Sequence, residues 1–152
     1  MSTVHEIEQA IRNLEPQDLA VLRQWFAEFD PEFWERQLEQ DVAAGKLNWL
    51  AEEALRDLND GRCTDLLRHR ATPRVWPCYN ALPADVRPLA DRCYTLLCHD
   101  PHHPSLHFKK SGQFWSVRVG LNYRALAVEC CTHIVWVWVG SYAEYNRLIA
   151  NA

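Results

Sequence analysis

No run of about 18 apolar residues occurs in this 152-residue chain, which excludes an ordinary membrane-spanning helix. The first residues, Met1-Ser2-Thr3-Val4-His5-Glu6, lack both the basic start and the apolar core of a secretory signal, so a cytoplasmic location is expected. The six cysteines, at 63, 78, 93, 98, 130 and 131, show no Cys-x-x-Cys spacing. That argues against a zinc site or a disulfide framework and for reduced thiols. The vicinal Cys130-Cys131 pair falls in a strand-like run, where neighbouring side chains point to opposite faces. There is no Gly-rich phosphate loop, no paired carboxylate and no Ser/His/Asp arrangement. The residues imply no cofactor. Histidines 99, 102 and 103 cluster in a loop without a carboxylate or Cys partner, and no metal is expected there.

What is present is a globular composition, 48% hydrophobic with seven tryptophans, and a divided charge. Residues 1–67 hold 15 Asp/Glu and 6 Lys/Arg, a net of -9. Residues 68–152 hold 5 and 10, a net of +5, together with six of the seven histidines. Such segregation predicts two parts with different partners, or two parts that partner each other.

The first part reads as helices only. Val4, Ile7, Ala10, Ile11 and Leu14 recur at helical spacing. Pro16 suits the first turn of a second helix with Leu19, Leu22, Trp25, Phe26 and Phe29 on its stripe. Asp30-Pro31 repeats a start signal, predicting a third helix with Phe33, Trp34, Leu38 and Val42. Beyond Ala44-Gly45-Lys46, the residues Leu47, Leu50, Ala51, Ala54, Leu55 and Leu58 continue the period to Asp60-Gly61. This later stripe is too long for the small N-terminal pair to cover. Either four helices bury it among themselves, or it lies on another surface.

The pattern changes near Leu66. Residues 66–70 predict an edge strand, and Thr72-Pro73 opens a helix with Val75, Trp76, Tyr79 and Leu82 that Pro77 should distort. Pro83-Ala84-Asp85 starts another, carrying Val86, Leu89, Ala90, Cys93, Tyr94, Leu96 and Leu97. Strands follow at 113–121, 123–131 and 133–139, the last with Trp136 and Trp138 alternating against Val135, Val137 and Val139. Gly140 should end the sheet, and 143–149 form a terminal helix. The expected class is α+β: a helical segment packed on a β-α-α-β-β-β module with an antiparallel sheet. Lys109, Lys110, Arg118, Arg124 and Arg147 lie near this sheet with His107, Tyr123, Tyr142 and Tyr145. Cations hold phosphates and aromatic rings stack on unpaired bases, so this set suits RNA, and equally a solvated basic face.

Residues 68–149 resemble the RelE/ParE superfamily of bacterial type II toxins. The likeness rests on Pro104-Ser105-Leu106-His107-Phe108-Lys109-Lys110, Trp115-Ser116-Val117-Arg118-Val119-Gly120, Tyr123-Arg124-Ala125-Leu126-Ala127 and Gly140-Ser141-Tyr142-Ala143-Glu144-Tyr145. The first half resembles the small antitoxins that accompany them, through Asp41-Val42-Ala43-Ala44-Gly45-Lys46-Leu47 and Glu53-Ala54-Leu55 to Gly61-Arg62-Cys63. The resemblance implies a fusion of antitoxin (1–65) and toxin (66–152). It implies a metal-independent messenger-RNA endoribonuclease, of a kind that often acts on the ribosome, in which the RNA 2'-hydroxyl attacks the adjacent phosphate. Lys109, Lys110, Arg118, Arg124, Tyr142 and Tyr145 would then carry catalysis, with His107, Tyr123 and Arg147 binding RNA. Toxins of this type commonly carry His at the place of Tyr142 and Asp at the place of Asn146, a departure that removes the side chain best matched to proton transfer. The antitoxin–toxin interface would be Trp34, Leu38, Val42, Leu47, Leu50, Leu55 and Leu58, docked within one chain or in a swapped homodimer. The swapped form is suggested by the short Gly61 to Asp65 connection, at most about 3.5 Å per residue. The alternative is a ParE-like gyrase inhibitor or an inert toxin fold serving as an interaction module. Operator DNA binding is the lesser expectation, since the first half is acidic and has no basic recognition helix.

Overall fold

The computed structural model describes residues 3–66, 68–130 and 132–150. The chain is mixed α+β and falls into two compact units, residues 1–35 and 36–152. In the first, helix α1 (Val4–Arg12) starts at Thr3, whose hydroxyl accepts from the Glu6 amide at 3.2 Å. Its apolar side chains remain exposed, as do Val21, Trp25 and Phe26 of α2 (Pro16–Ala43). A segment of 35 residues is too small to build a core of its own.

Helix α2 runs on through Asp30 and Pro31, where the sequence signals a new start. Proline inside a helix forfeits one backbone hydrogen bond, a cost of about 3 kcal/mol that the flanking turns must offset. Beyond it, Phe33 is half-exposed while Trp34 is buried. Gly45, at φ +78°, then turns the chain between α2 and α3 (Asn48–Asn59), a conformation that suits glycine. Leu38, Leu47, Leu50, Ala51 and Ala54 are buried, and each buried Leu contributes roughly 2 kcal/mol.

The second unit is built on a six-stranded sheet of order β1-β2-β6-β5-β4-β3. Its strands are β1 (Thr64–Asp65), β2 (Arg70–Ala71), β3 (Lys109–Ser111), β4 (Phe114–Val119), β5 (Tyr123–Cys130) and β6 (His133–Ser141). The edge strand expected at 66–70 is instead a short antiparallel pair, β1 and β2, with β2 running parallel to β6; Leu67 lies outside the described residues. The strand β3 was not anticipated: its two lysines hide the pairing signal that Phe114 to Val119 carries openly. Gly140 does not end the sheet, since β6 continues through Ser141.

Helices α4 (Val75–Asn80) and α5 (Val86–His99) cover one face of the sheet, packing Cys93, Tyr94 and Leu96 on Val117, Ala127 and Trp136. Helix α3 meets β5 and β6, and by strand alternation it covers the opposite face, which carries Phe114, Ser116, Arg118, Arg124, Leu126 and Val128. The two tryptophans of β6 do not share a face as simple alternation predicts. A register shift between Leu126 and Ala127 sets Trp136 against Ala127 and Trp138 against Leu126. One extra residue in the bulged strand reverses the alternation beyond it. Trp136 therefore faces α5, and Trp138 faces the other way.

Cys63, Cys78, Cys93 and Cys98 are free thiols; Cys131 lies outside the described residues, and with it the predicted vicinal pair. Among the described residues no helix is long and apolar enough to cross a membrane.

Candidate functional site

Helix α6 (Tyr142–Ala150) begins without a loop where β6 ends. Ser141 and Glu144 fix that start reciprocally. The Glu144 amide donates to Ser141 Oγ at 3.3 Å, while Glu144 Oε1 accepts from the Ser141 amide (3.3 Å) and hydroxyl (3.0 Å). This cap holds Tyr142, Tyr145 and Asn146 toward the last two turns of α2. The Tyr142 hydroxyl donates to Gln37 Oε1. Gln37 Nε2 donates in turn to Asn146 Oδ1 at 2.9 Å. The Tyr145 hydroxyl donates to Asp41 Oδ2 at 2.7 Å. Tyr145 is 0% exposed and Asp41 5%, so this is a charge-assisted bond out of water. Burial, then the Asp41 carboxylate, pushes the Tyr145 phenol well above its ordinary range, which fixes its proton in place. Lys46 Nζ lies 3.6 Å from the other Asp41 oxygen and balances its charge.

Beside this cluster stand the arginines. Arg118 and Arg124 are direct cross-strand partners on the α3 face, and Arg124 also pairs with Gly140. Arg124 is 1% exposed, Arg118 half-buried. The Trp138 indole folds over Gly140, where any Cβ would stand 2.7 Å from the ring, and lies 6.0 Å from the Tyr145 ring. The two arginines and two tyrosines are thus brought to one face and one end of the sheet. The other predicted residues divide. Lys109 pairs with Ser116 on that same face, at the exposed edge. Lys110 pairs with Trp115 on the opposite face, where its ammonium meets Glu129 at 2.5 Å and sits 5.8 Å from the Trp115 ring. Both lysines belong to a strand rather than a loop. His107 ends a 3-10 turn (Pro104–Leu106) in a left-handed conformation, φ 46°. Tyr123 packs with Val119 and Val139 on the α5 face, away from Arg124, and Arg147 is exposed on α6.

No protein-family model, curated protein or solved structure matches this chain.

Of the interface residues predicted from the stripe, Trp34, Leu38, Leu47 and Leu50 are buried; Val42, Leu55 and Leu58 are half-buried. Val42 lies against the β3–β4 turn, where a Cβ on Gly112 would stand 2.9 Å from its methyl. Helix α3 is gripped a second time through Arg74, which makes a paired contact with Glu53 (2.5 and 3.0 Å) and places its guanidinium 5.0 Å from the Trp49 ring centre. The Arg74 hydrogen bond holds the Glu53 carboxyl below its ordinary value against the opposing effect of burial. This pair joins the acidic and basic parts of the chain. The polar residues of the α2 end, Gln37 and Asp41, were not recognised as site residues. The available signal was spacing: Trp34, Leu38 and Asp41 share one helix face, and a carboxylate on an apolar stripe calls for a buried donor. Among the described residues no group of three or more His, Cys, Asp and Glu side chains is arranged to hold a metal.

Proposed function

We propose that this chain is a self-restrained toxin–antitoxin fusion, with a RelE-like endoribonuclease module at 66–152 held inactive by the helices that precede it. The observation that carries this reading is the set of hydrogen bonds between Gln37 and Asp41 on one side and Tyr142, Asn146 and Tyr145 on the other. Two of the residues to which the resemblance assigns chemistry, Tyr142 and Tyr145, are already engaged by a helix of the first half. Once that helix is displaced, the chemistry is a transesterification. The RNA 2'-oxygen attacks the adjacent phosphorus as its proton passes to a base, the P–O5' bond breaks, and a proton goes to the leaving 5'-oxygen. The products are a 2',3'-cyclic phosphate and a 5'-hydroxyl. Arg118 and Arg124 would face the charge of the phosphorane with fixed N–H pairs, Lys109 would bind phosphate at the open edge, and Tyr142 would meet the base or the leaving oxygen.

The test compares the intact chain with a loosened chain (Gln37→Ala with Asp41→Ala) and with residues 66–152. Each is incubated with end-labelled message in EDTA, with and without ribosomes. The reading expects no cleavage by the intact chain, cleavage with cyclic-phosphate ends by the freed forms, and a loss of about 10²–10³ in rate for Arg118→Ala. Tyr142→His should raise the rate, because imidazole gives up a proton near neutral pH more readily than a phenol does. No cleavage by any freed form, Tyr142→His included, would refute it. The burial of Arg124 and Tyr145 favours a second reading, in which the module is an inert or ParE-like fold that acts by binding another protein.

A further inference from the structure

A cavity of about 370 Å³ lies between the sheet and helices α4 and α5, on the face away from the arginines. Its floor is Val117, Ala125 and Trp136, and its walls include Trp76, Tyr79 and Tyr94. Protein interiors normally leave few voids larger than a water molecule. Here the void separates two core clusters, one around Leu97, Leu106 and Val117 and another around Leu82, Val86 and Val119. Helix α4 contributes no fully buried side chain to either.

The gap is held open by its own walls. Trp76 is tied by its indole N–H to Thr64 Oγ1 at 3.2 Å, and Tyr79 by its hydroxyl to Asp91 at 2.7 Å. Trp136 donates to His69 Nδ1 at 3.0 Å, and the same imidazole meets the Tyr94 ring edge-on at 5.5 Å. The Trp76 and Trp136 indoles are satisfied by Thr64 and His69 outside the lining and the Tyr79 hydroxyl by Asp91 at the mouth, while the Tyr94 hydroxyl is buried without a hydrogen-bond partner; the four rings leave aromatic surface lining the cavity. Collapse would break these bonds. The volume falls within the roughly 300–1,000 Å³ of pre-formed ligand pockets, and aromatic walls around an apolar floor are their usual lining. Asp91, whose carboxylate accepts from Tyr79 at the mouth, is the one charged side chain among the described lining residues, so the apolar interior favours a neutral molecule.

We propose that this cavity is a binding site for a neutral, flat, largely aromatic small molecule, entering past Asp91 and stacking among Trp76, Tyr79 and Tyr94. The test titrates the full chain with Nile red, a neutral planar dye. One-to-one binding is expected, with blue-shifted emission and energy transfer from tryptophan. Ala90→Phe, which fills the cavity from α5, should weaken binding at least tenfold while circular dichroism stays native. Should that variant fail to fold, Thr95→Trp at the exposed mouth serves in its place with the same expectation. Trp25→Ser with Phe26→Ser, on the exposed face of the first unit, should leave the affinity unchanged. Absence of one-to-one binding, full affinity in a folded cavity-filled variant, or loss of binding in the Trp25/Phe26 variant would each overturn the proposal.

Discussion

Replacing Tyr145 by Phe removes one oxygen from a place where water cannot substitute for it. Tyr145 and Asp41 are both buried, and their bond is 2.7 Å. A hydrogen bond to a charged group contributes about 1.5–3 kcal/mol, and a buried carboxylate short of a donor costs a similar amount. Two neighbours soften the loss: Lys46 Nζ at 3.6 Å and Gln37 Nε2 at 3.5 Å remain beside Asp41. The ring itself is kept, so no cavity forms. The expected destabilisation is about 2 kcal/mol. With a urea slope of about 2 kcal/mol per molar, the midpoint should fall by about 1 M, with the slope unchanged. Asp41→Asn should cost a comparable amount, since its amide can still accept from the phenol but leaves Lys46 without its partner. The double variant should cost clearly less than the sum, with a coupling of about 1–2 kcal/mol, because the two side chains touch. Additive single effects, or a Tyr145→Phe cost below about 0.5 kcal/mol, would refute the claim that this bond anchors the end of α2 to α6.

The remaining predictions concern pH and the second grip on α3. Burial, reinforced by Arg68, holds His69 below its ordinary value of 6.5, and its Nδ1 accepts from Trp136. The unfolded chain then binds a proton that the folded chain refuses, so stability should fall as pH drops below about 6.5. Urea melts of the parent and of His69→Gln, followed by tryptophan fluorescence, should show that fall only in the parent; equal slopes would contradict it. Glu53 is held below its ordinary value of 4.5 by Arg74, so the stabilisation from this pair is present above that value and is lost as pH falls through the lowered one. Both side chains are about one-third exposed, which keeps the effect near or below 1 kcal/mol. Glu53→Gln should flatten the acid limb of the stability profile. Arg74→Lys should lose the paired geometry and the Trp49 contact together and destabilise more than a surface exchange of like charges; a change under about 0.3 kcal/mol would count against it.

Much of the scaffold was readable locally. The 3.6-residue period of Leu47, Leu50, Ala51 and Ala54 specifies a helix with one apolar face, and the alternation of Phe114 to Val119 specifies a strand, because each pattern reflects the geometry of its own backbone. The Pro83-Ala84-Asp85 signal marks the start of α5 for the same reason. Charge and stripe length together pointed to a surface beyond the helices for that apolar face to cover. Other features depend on partners distant in sequence. Whether Asp30-Pro31 starts a helix or is carried within one is not a local question. A two-residue strand such as β2 exists only because β6 accepts it in parallel register. The faces of Trp136 and Trp138 turned on a single bulge, which composition does not announce. Lys109 and Lys110 looked equivalent until pairing with β4 sent them to opposite faces. The sequence by itself determined the strongly periodic elements, such as α3, α5 and β4, and the residue types available for chemistry. The tertiary structure alone decided which of those residues meet, because Asp41 and Tyr145, 104 positions apart, are joined by packing rather than by any local rule.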